Sequence, residues 1–271
     1  MLRSDLEKIY IVDAFTDKPF SGNPAAVCIL QEFKSDEVLQ KIAAEMNLSE
    51  TAFVRKEADG FRLRWFTPEV EVELCGHATL ATSHILWQKG FLNPDKEAVY
   101  YTVFSGKLSA SRKGDEIILN FPLIPVIDTV YSPELETALG IKPVYTGNCG
   151  TGECNYLIEL KSGAEVRNLK PDLNLLSEIP KFGFIVTAIS DDDDYDFISR
   201  YFAPDKGVDE DPVTGSAHCS LAHYWGKKLD KSEMNAFQAS KRGGSMKVKL
   251  NGDRVLLTGK AVTVLEGNLL I

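Results

Sequence analysis

Hydrophobic and polar residues follow two different periods in the first part of the chain. Short β-branched and aromatic runs at Ile9–Phe15, Ala25–Leu30 and Phe61–Phe66 are typical of strands. After Ser35, apolar residues instead recur with helical spacing, and two acidic residues occupy the first turn, where the helix dipole favours them. The pattern therefore predicts one helix after Ser35 among several short strands.

A second helix is predicted from Gly76 to Gly90, and three more strands near Ala98, Lys107 and Glu116. This helix is apolar on more than one face, which is typical of a buried helix. Strict β-α-β alternation, the signature of a parallel doubly wound sheet, is missing. We therefore expect an α+β fold in which short strands surround a central helix.

The second half of the chain repeats two motifs of the first half in the same order. Arg64–Pro68 reads RWFTP and Arg200–Pro204 reads RYFAP. A Gly-led helix follows each motif, beginning at Gly76 and at Gly215, with nearly equal offsets between the halves. Phe121–Pro133 lies between the halves and holds three prolines, so it cannot be a regular helix. We interpret the chain as an internal duplication with a linker in this segment.

Composition and charge restrict the class of protein. With 44% hydrophobic and 25% charged residues, a chain of 271 residues can bury a sizeable core. The net charge of −9 disfavours nucleic acid and anionic membranes as partners. No run of ~20 apolar residues predicts a transmembrane helix. Five cysteines without an export signal favour reduced thiols and a cytoplasmic location.

The two Gly-led helices are the first candidate site. A helix N-terminus carries unsatisfied N–H groups and binds carboxylate or phosphate, and Gly76 and Gly215 let a ligand approach the backbone closely. If a pseudo-twofold relates the halves, both helix starts face one cleft. The alternative is that both glycines are ordinary caps of core helices.

Four side chains are candidates for acid–base chemistry or substrate binding. Glu50 lies among apolar residues, where desolvation raises a carboxyl pKa and suits acid–base chemistry, but the residues alone favour a solvated turn position or a capping interaction led by Ser49. His77 adjoins the Gly76 helix start and is suited to relay a proton. Asp211 and Ser216 flank Gly215 and serve either the chemistry or the helix cap. Neither cysteine nor histidine spacing predicts a metal site.

Four longer motifs of the chain are DAFTDKPFSGNPAAV, NLSETAFV, RWFTPEVEVELCGHATLAT and DEDPVTGSA. Together they resemble the PhzF-like isomerases of the diaminopimelate epimerase fold group. The resemblance implies two pseudo-symmetric domains, each a strand barrel around a central helix. We expect one domain at residues 1–120 plus about 262–271, and the other at 121–261. The resemblance also implies a homodimer and a site between the domains.

The same resemblance implies cofactor-free proton transfer on a small carboxylic acid. It makes Glu50 the general acid and base, with His77, Asp211 and Ser216 lining the site. The substrate carboxylate would lie on the helix N-termini at Gly76 and Gly215.

Two other functions stay open at the level of sequence. Two-thiol epimerases place a cysteine before the glycine of each helix, whereas this chain has Cys75 before one glycine and Thr214 before the other. A symmetric two-thiol racemase is therefore disfavoured, but a Cys75/Thr214 dehydratase or epimerase of a hydroxy-amino acid is the second enzyme hypothesis. The non-enzymatic hypothesis is a protein that binds a small anion without chemistry.

Overall fold

The computed structural model describes residues 7–150 and 154–271. They separate into two compact units, one with residues up to Phe121 together with Thr258–Ile271, the other with Pro122–Leu257. Strands dominate both units, and each unit contains one long buried helix.

The strands, in chain order, are β1 (Glu7–Ala14), β2 (Asn23–Leu30), β3 (Glu50–Glu57), β4 (Gly60–Phe66), β5 (Glu71–Val72), β6 (Ala98–Tyr101), β7 (Lys107–Lys113), β8 (Glu116–Pro122), β9 (Val126–Asp128), β10 (Tyr145–Cys149), β11 (Asn155–Glu159), β12 (Phe184–Ile189), β13 (Phe197–Ala203), β14 (Val208–Asp211), β15 (Glu233–Gln238), β16 (Gly244–Asn251), β17 (Arg254–Gly259) and β18 (Ala261–Leu269). The helices are α1 (Asp36–Met46), α2 (Gly76–Gln88), α3 (Pro133–Leu139), α4 (Gly163–Asn168), α5 (Leu173–Ser177) and α6 (Gly215–Leu229), with a 3-10 turn at Pro204–Lys206.

The strands of the two units pair in the same order. In the first unit β1–β2 is antiparallel, β2–β3 parallel, β3–β4 and β4–β5 antiparallel, β4–β6 parallel and β6–β7 antiparallel. In the second unit β10 to β16 repeat this series, from antiparallel β10–β11 to antiparallel β15–β16. β18 pairs antiparallel with β1, as β9 does with β10. The matching topology shows that the duplication seen in the sequence is also present in the strand pairing of the two units.

The repeated motif has the same side-chain geometry in both units. In the first, Arg64 donates from Nε and Nη2 to the two carboxylate oxygens of Glu71, both at 2.7 Å. In the second, Arg200 makes the same forked contact with Glu210 at 2.7 and 2.9 Å. Such two-point pairing fixes the planes of both groups, so each arginine ties its strand to the strand that leads into the central helix.

Helix α2 is buried on nearly all sides, in agreement with its sequence pattern. Its polar residues are compatible with burial because Thr79, Thr82 and Ser83 each donate a hydroxyl hydrogen bond to the carbonyl four residues earlier. In the second unit α6 buries Leu221, Ala222 and Trp225. The predicted α+β class, with one central helix in each half, is confirmed.

Two further observations concern the sequence predictions. The proline-containing segment Phe121–Pro133, predicted as a linker, contains strand β9, because its residues Val126–Asp128 pair with β10. Among the described residues, no helix has both the length and the apolar character required to cross a membrane.

Candidate active site

Glu50 begins β3 directly after the turn that ends α1. The chain reverses at Asn47, which adopts a left-handed conformation with φ of 50° and donates its N–H to the carbonyl of Ala43. The parallel pairing of β2 and β3 then places Glu50 opposite Ala25. Only 17% of the Glu50 side chain is exposed, so this carboxylate lies largely out of water.

His77 lies in the first turn of α2 and faces Glu50. Its Nε2 is 3.1 Å from Oε2 of Glu50, and the histidine is 2% exposed. The two atoms are in contact but are not aligned as a hydrogen bond, and neither has another hydrogen-bond partner among the described residues. Buried polar atoms without partners carry a desolvation cost, so this pair is available to a third polar group, as a substrate would supply.

The other nitrogen of the imidazole faces Asn23 and Cys75. Nδ1 lies 3.1 Å from Nδ2 of Asn23 at the start of β2, and 3.5 Å from Sγ of Cys75 at the N-cap of α2. Asn23 and Cys75 are both buried. A residue distant in the chain and a neighbour two residues away therefore meet at the same ring nitrogen.

Burial and neighbouring charge shift the pKa values of both Cys75 and His77. Burial, reinforced by the negative charge of Glu50, raises the pKa of the Cys75 thiol to about 11. For His77, burial opposes the charged form, but the acidic groups of Cys75 and Glu50 outweigh it and hold the pKa above its ordinary value. At neutral pH the thiol is therefore protonated, and the imidazole is a ready proton donor.

Glu50, Cys75 and His77 also place three possible metal-binding atoms within 4.8 Å of one another. The thiol is nearest to Nδ1 and the carboxylate is nearest to Nε2, whereas a metal ion binds one ring nitrogen. A metal ligand must also be deprotonated, and the pKa of Cys75 is about 11. The geometry fits a proton relay through the imidazole better than a shared ion.

The start of α2 provides a positive electrostatic end without a basic side chain. The N-cap Cys75 makes no side-chain capping hydrogen bond, and the first turn contains no acidic residue. Gly76 is buried at the first helical position. The backbone N–H groups of this turn are therefore suited to an anionic group.

The second unit holds Asp211 in a network at the start of α6. Thr214 donates from Oγ1 to Oδ2 of Asp211 at 2.5 Å. The buried side chain of Gln238 accepts from the backbone N–H of Thr214 at 2.8 Å and donates to the carbonyl of Asp211 at 2.8 Å. Its Nε2 also lies 3.1 Å from Oγ1 of Thr214. One amide on β15 therefore fixes both ends of the turn that precedes the helix.

Gly215 and Ser216 are the first two residues of α6, and Gly215 is buried whereas Ser216 is half-buried. As in α2, the N-cap residue makes no side-chain capping hydrogen bond. One turn further, Nδ1 of His218 donates to the carbonyl of Thr214 at 2.8 Å. Burial lowers the pKa of His218 to about 4, so this histidine is neutral and structural.

The structure thus brings together the predicted residues Glu50, Gly76 and His77 in the first unit, and Asp211, Gly215 and Ser216 in the second. Sequence reasoning gave no role to Asn23 or Gln238. Asn23 lies in the turn-rich segment that ends at the start of β2 and within the first motif of the family resemblance, whereas Gln238 had no sequence signal.

A hydroxyproline epimerase of Agrobacterium vitis has the same fold, with a TM-score of 0.67 at 12% identity over 99% of this chain and 94% of that one. This likeness concerns the fold alone, and it agrees with the predicted epimerase-type α+β fold. The family model of the phenazine biosynthesis-like proteins matches residues 12–267, and the chain belongs to this PhzC-PhzF family.

Similar proteins agree with this assignment. An uncharacterized isomerase of Halalkalibacterium halodurans is 52% identical over 97% of this chain and 98% of its own. The crystal structure of a PhzF family protein of Enterococcus faecalis superposes with a TM-score of 0.91 at 39% identity, covering 98% of this chain and 100% of that one. The predicted family and the predicted isomerase class are confirmed.

Proposed function

We propose that the protein is a cofactor-independent isomerase that moves a proton within a small carboxylic acid, with Glu50 as general acid and base. The observation that carries the proposal is the buried contact of 3.1 Å between Glu50 Oε2 and His77 Nε2, both lacking an aligned hydrogen-bond partner. A general base must lie within hydrogen-bond reach of the proton that it removes, and an adjacent donor stabilises the negative charge that develops on the substrate.

In the proposed reaction, Glu50 removes a proton from a carbon that an adjacent carboxyl group or double bond activates. The electron pair moves into the conjugated system, and protonated Glu50 returns the proton at another carbon, so the double bond shifts. His77 donates from Nε2 to the developing negative charge, which its raised pKa favours. No atom is gained or lost, as an isomerisation requires.

The second unit supplies binding groups in this proposal. Asp211 and Ser216 hold polar groups of the substrate, and the N–H groups at Gly76 and Gly215 bind its carboxylate. The support is that both helix starts lack a side-chain cap and an acidic first turn. An acidic protein of net charge −9 gains a local positive field in this way without a lysine or arginine.

A thiol-dependent dehydratase or epimerase acting through Cys75 and Thr214 is the second candidate. The contact of 3.5 Å between Cys75 Sγ and His77 Nδ1 favours it, because an imidazole activates a thiol. Two observations support the first candidate instead. The pKa of Cys75 is about 11, and the Thr214 hydroxyl already donates to Asp211.

A cytoplasmic location and a homodimer complete the proposal. Support for the location is that all five cysteines are free. The homodimer rests on family resemblance, and light scattering in solution tests it.

The deciding experiment is a screen of small carboxylic acids in heavy water, in which NMR detects enzyme-dependent deuterium uptake. Glu50→Gln is expected to abolish the uptake, since general acid–base groups contribute ~10²–10⁴-fold to the rate. Glu37→Gln is the matched control, because Glu37 is exposed on α1. Uptake at the wild-type rate in Glu50→Gln would remove Glu50 from the mechanism. Uptake that appears only after addition of a divalent metal would contradict cofactor independence.

A further inference from the structure

We propose that Asn23 is a positioning residue that keeps the proton of the neutral His77 imidazole on Nε2, the nitrogen that faces Glu50. The catalytic role of Asn23 rests on the proposed function, but the position of the proton on the His77 ring can be measured separately. Asn23 lies on β2 and His77 on α2, 54 residues later in the chain.

The geometry at Nδ1 of His77 decides which ring nitrogen carries the proton. The amide Nδ2 of Asn23 is 3.1 Å from Nδ1, within hydrogen-bond distance. An amide nitrogen can only donate, so Nδ1 must accept and cannot carry a proton in this contact. The proton of a neutral imidazole is then on Nε2, the nitrogen that lies 3.1 Å from Oε2 of Glu50.

Asn23 is itself fixed in its position. Its side chain is buried, and its backbone belongs to β2, where it pairs with Ala14 of β1. Because the sheet fixes its backbone and its side chain is buried, the amide has little room to follow the ring, so the ring orients toward the amide. This is the relation in which a second group sets the tautomer of a histidine.

Titratable groups also face the ring of His77. In the described chain the titratable groups in contact with His77 are Glu50 from β3 and Cys75 from the N-cap of α2. The negative charge of Glu50 favours the charged imidazolium, whereas a donor at Nδ1 favours the neutral ring. Asn23 therefore opposes Glu50, so that His77 can lose and regain its proton during turnover.

Nitrogen-15 NMR of the imidazole rings tests the proposal without any substrate. The chain has four histidines, and His77→Gln assigns the signals of His77. Above the pKa of His77, the wild-type ring is expected to show a protonated Nε2 and an unprotonated Nδ1. A protonated Nδ1 in the wild-type protein would overturn the proposal, whether or not any variant folds.

Variants then assign the effect to Asn23. Asn23→Leu, similar in size and without hydrogen bonds, is expected to give a mixture of tautomers. Asn23→Asp is expected to move the proton to Nδ1, which the new carboxylate accepts, and to raise the midpoint of the His77 titration. Asn93→Asp makes the same chemical change at an exposed loop position and is the matched control. Unchanged tautomers in Asn23→Leu would contradict the proposal.

Cys75→Ala distinguishes the two groups at Nδ1. The proton is expected to stay on Nε2, because the Asn23 donor is retained. Loss of the tautomer in this variant, with retention in Asn23→Leu, would assign the role to the thiol and overturn the proposal.

Kinetics connect the tautomer with catalysis. In Asn23→Leu we expect kcat for deuterium exchange to fall with little change in KM, by less than the ~10²–10⁴-fold of a general acid–base group. The pH profile should shift together with the NMR titration. If no carboxylic acid exchanges even with the wild-type enzyme, the proposed function fails, while the NMR result still decides the role of Asn23.

Discussion

The hydroxyl of Thr214 donates a hydrogen bond of 2.5 Å to Oδ2 of Asp211, at the start of the central helix of the second unit. The equivalent residue of the first unit, Cys75, instead faces the imidazole of His77 at 3.5 Å. The duplicated helices therefore carry different chemistry at the same position. In the first unit the groups are suited to proton transfer, and in the second they form a rigid polar network.

Gln238 is expected to stabilise this network. Gln238→Leu leaves the Thr214 N–H and the Asp211 carbonyl buried without their partner, at a cost of about 1–3 kcal/mol for each group. Urea unfolding should show the lowered free energy of unfolding. Gln238→Glu keeps the acceptor for the Thr214 N–H but adds a negative charge near Asp211, so its destabilisation should be relieved as pH falls. Equal stability of wild type and Gln238→Leu would refute this role.

Cys75→Ser distinguishes the two enzyme hypotheses. With Glu50 as base, the thiol is a spectator, and both the substitution and thiol alkylation should cost little activity. If the thiolate is the base, both treatments should remove nearly all activity. The measurement is deuterium exchange before and after alkylation, with Cys28→Ser as control because Cys28 is buried in the hydrophobic core of β2. Thiol-dependent loss of water from a hydroxy-amino acid would favour the second candidate.

Gly76→Val and Gly215→Val test the proposed anion site. A branched side chain at the first helical position crowds the approach to the backbone N–H groups while the net charge stays the same. We expect binding of a small carboxylate to weaken about ten-fold, or roughly 1.4 kcal/mol, by calorimetry. Gly267→Val is the control, since a Cβ there meets its neighbours at 3.6 Å or more. Undiminished binding in both variants would argue against the helix starts as the carboxylate site.

His218 is expected to make the protein acid-labile. Burial lowers its pKa to about 4 from 6.5, so between these values the unfolded chain binds a proton that the folded protein does not. Stability contributed by the neutral ring is thus fully present above pH 6.5 and falls toward pH 4, by up to about 3 kcal/mol.

His218→Asn checks this prediction, because its amide can donate to the Thr214 carbonyl without titrating. Urea unfolding from pH 4.5 to 7 should show a slope smaller by up to one proton. An unchanged slope would mean that His218 does not couple folding to pH. His223→Asn, at a half-buried position of the same helix, serves for comparison.

The sequence alone determined the class of fold, because burial leaves a periodic record in the chain. Short β-branched and aromatic runs predicted β1, β2 and β4, and the apolar character of α2 on more than one face predicted its burial. The repeated arginine motif gave the duplication. The motif around Glu50 and the Gly-led helices named the candidate residues, since these are local patterns that a single segment carries.

Only the tertiary structure decided which groups touch. Asn23 meets His77 because β2 and β3 pair in parallel beside α2, and Gln238 reaches Thr214 from a strand 24 residues further along the chain. β9 was hidden inside a proline-rich segment because its pairing partner, β10, lies elsewhere in the chain. Such contacts depend on strand register and on long-range packing. A single buried amide leaves no periodic pattern in the sequence from which its contacts could be predicted.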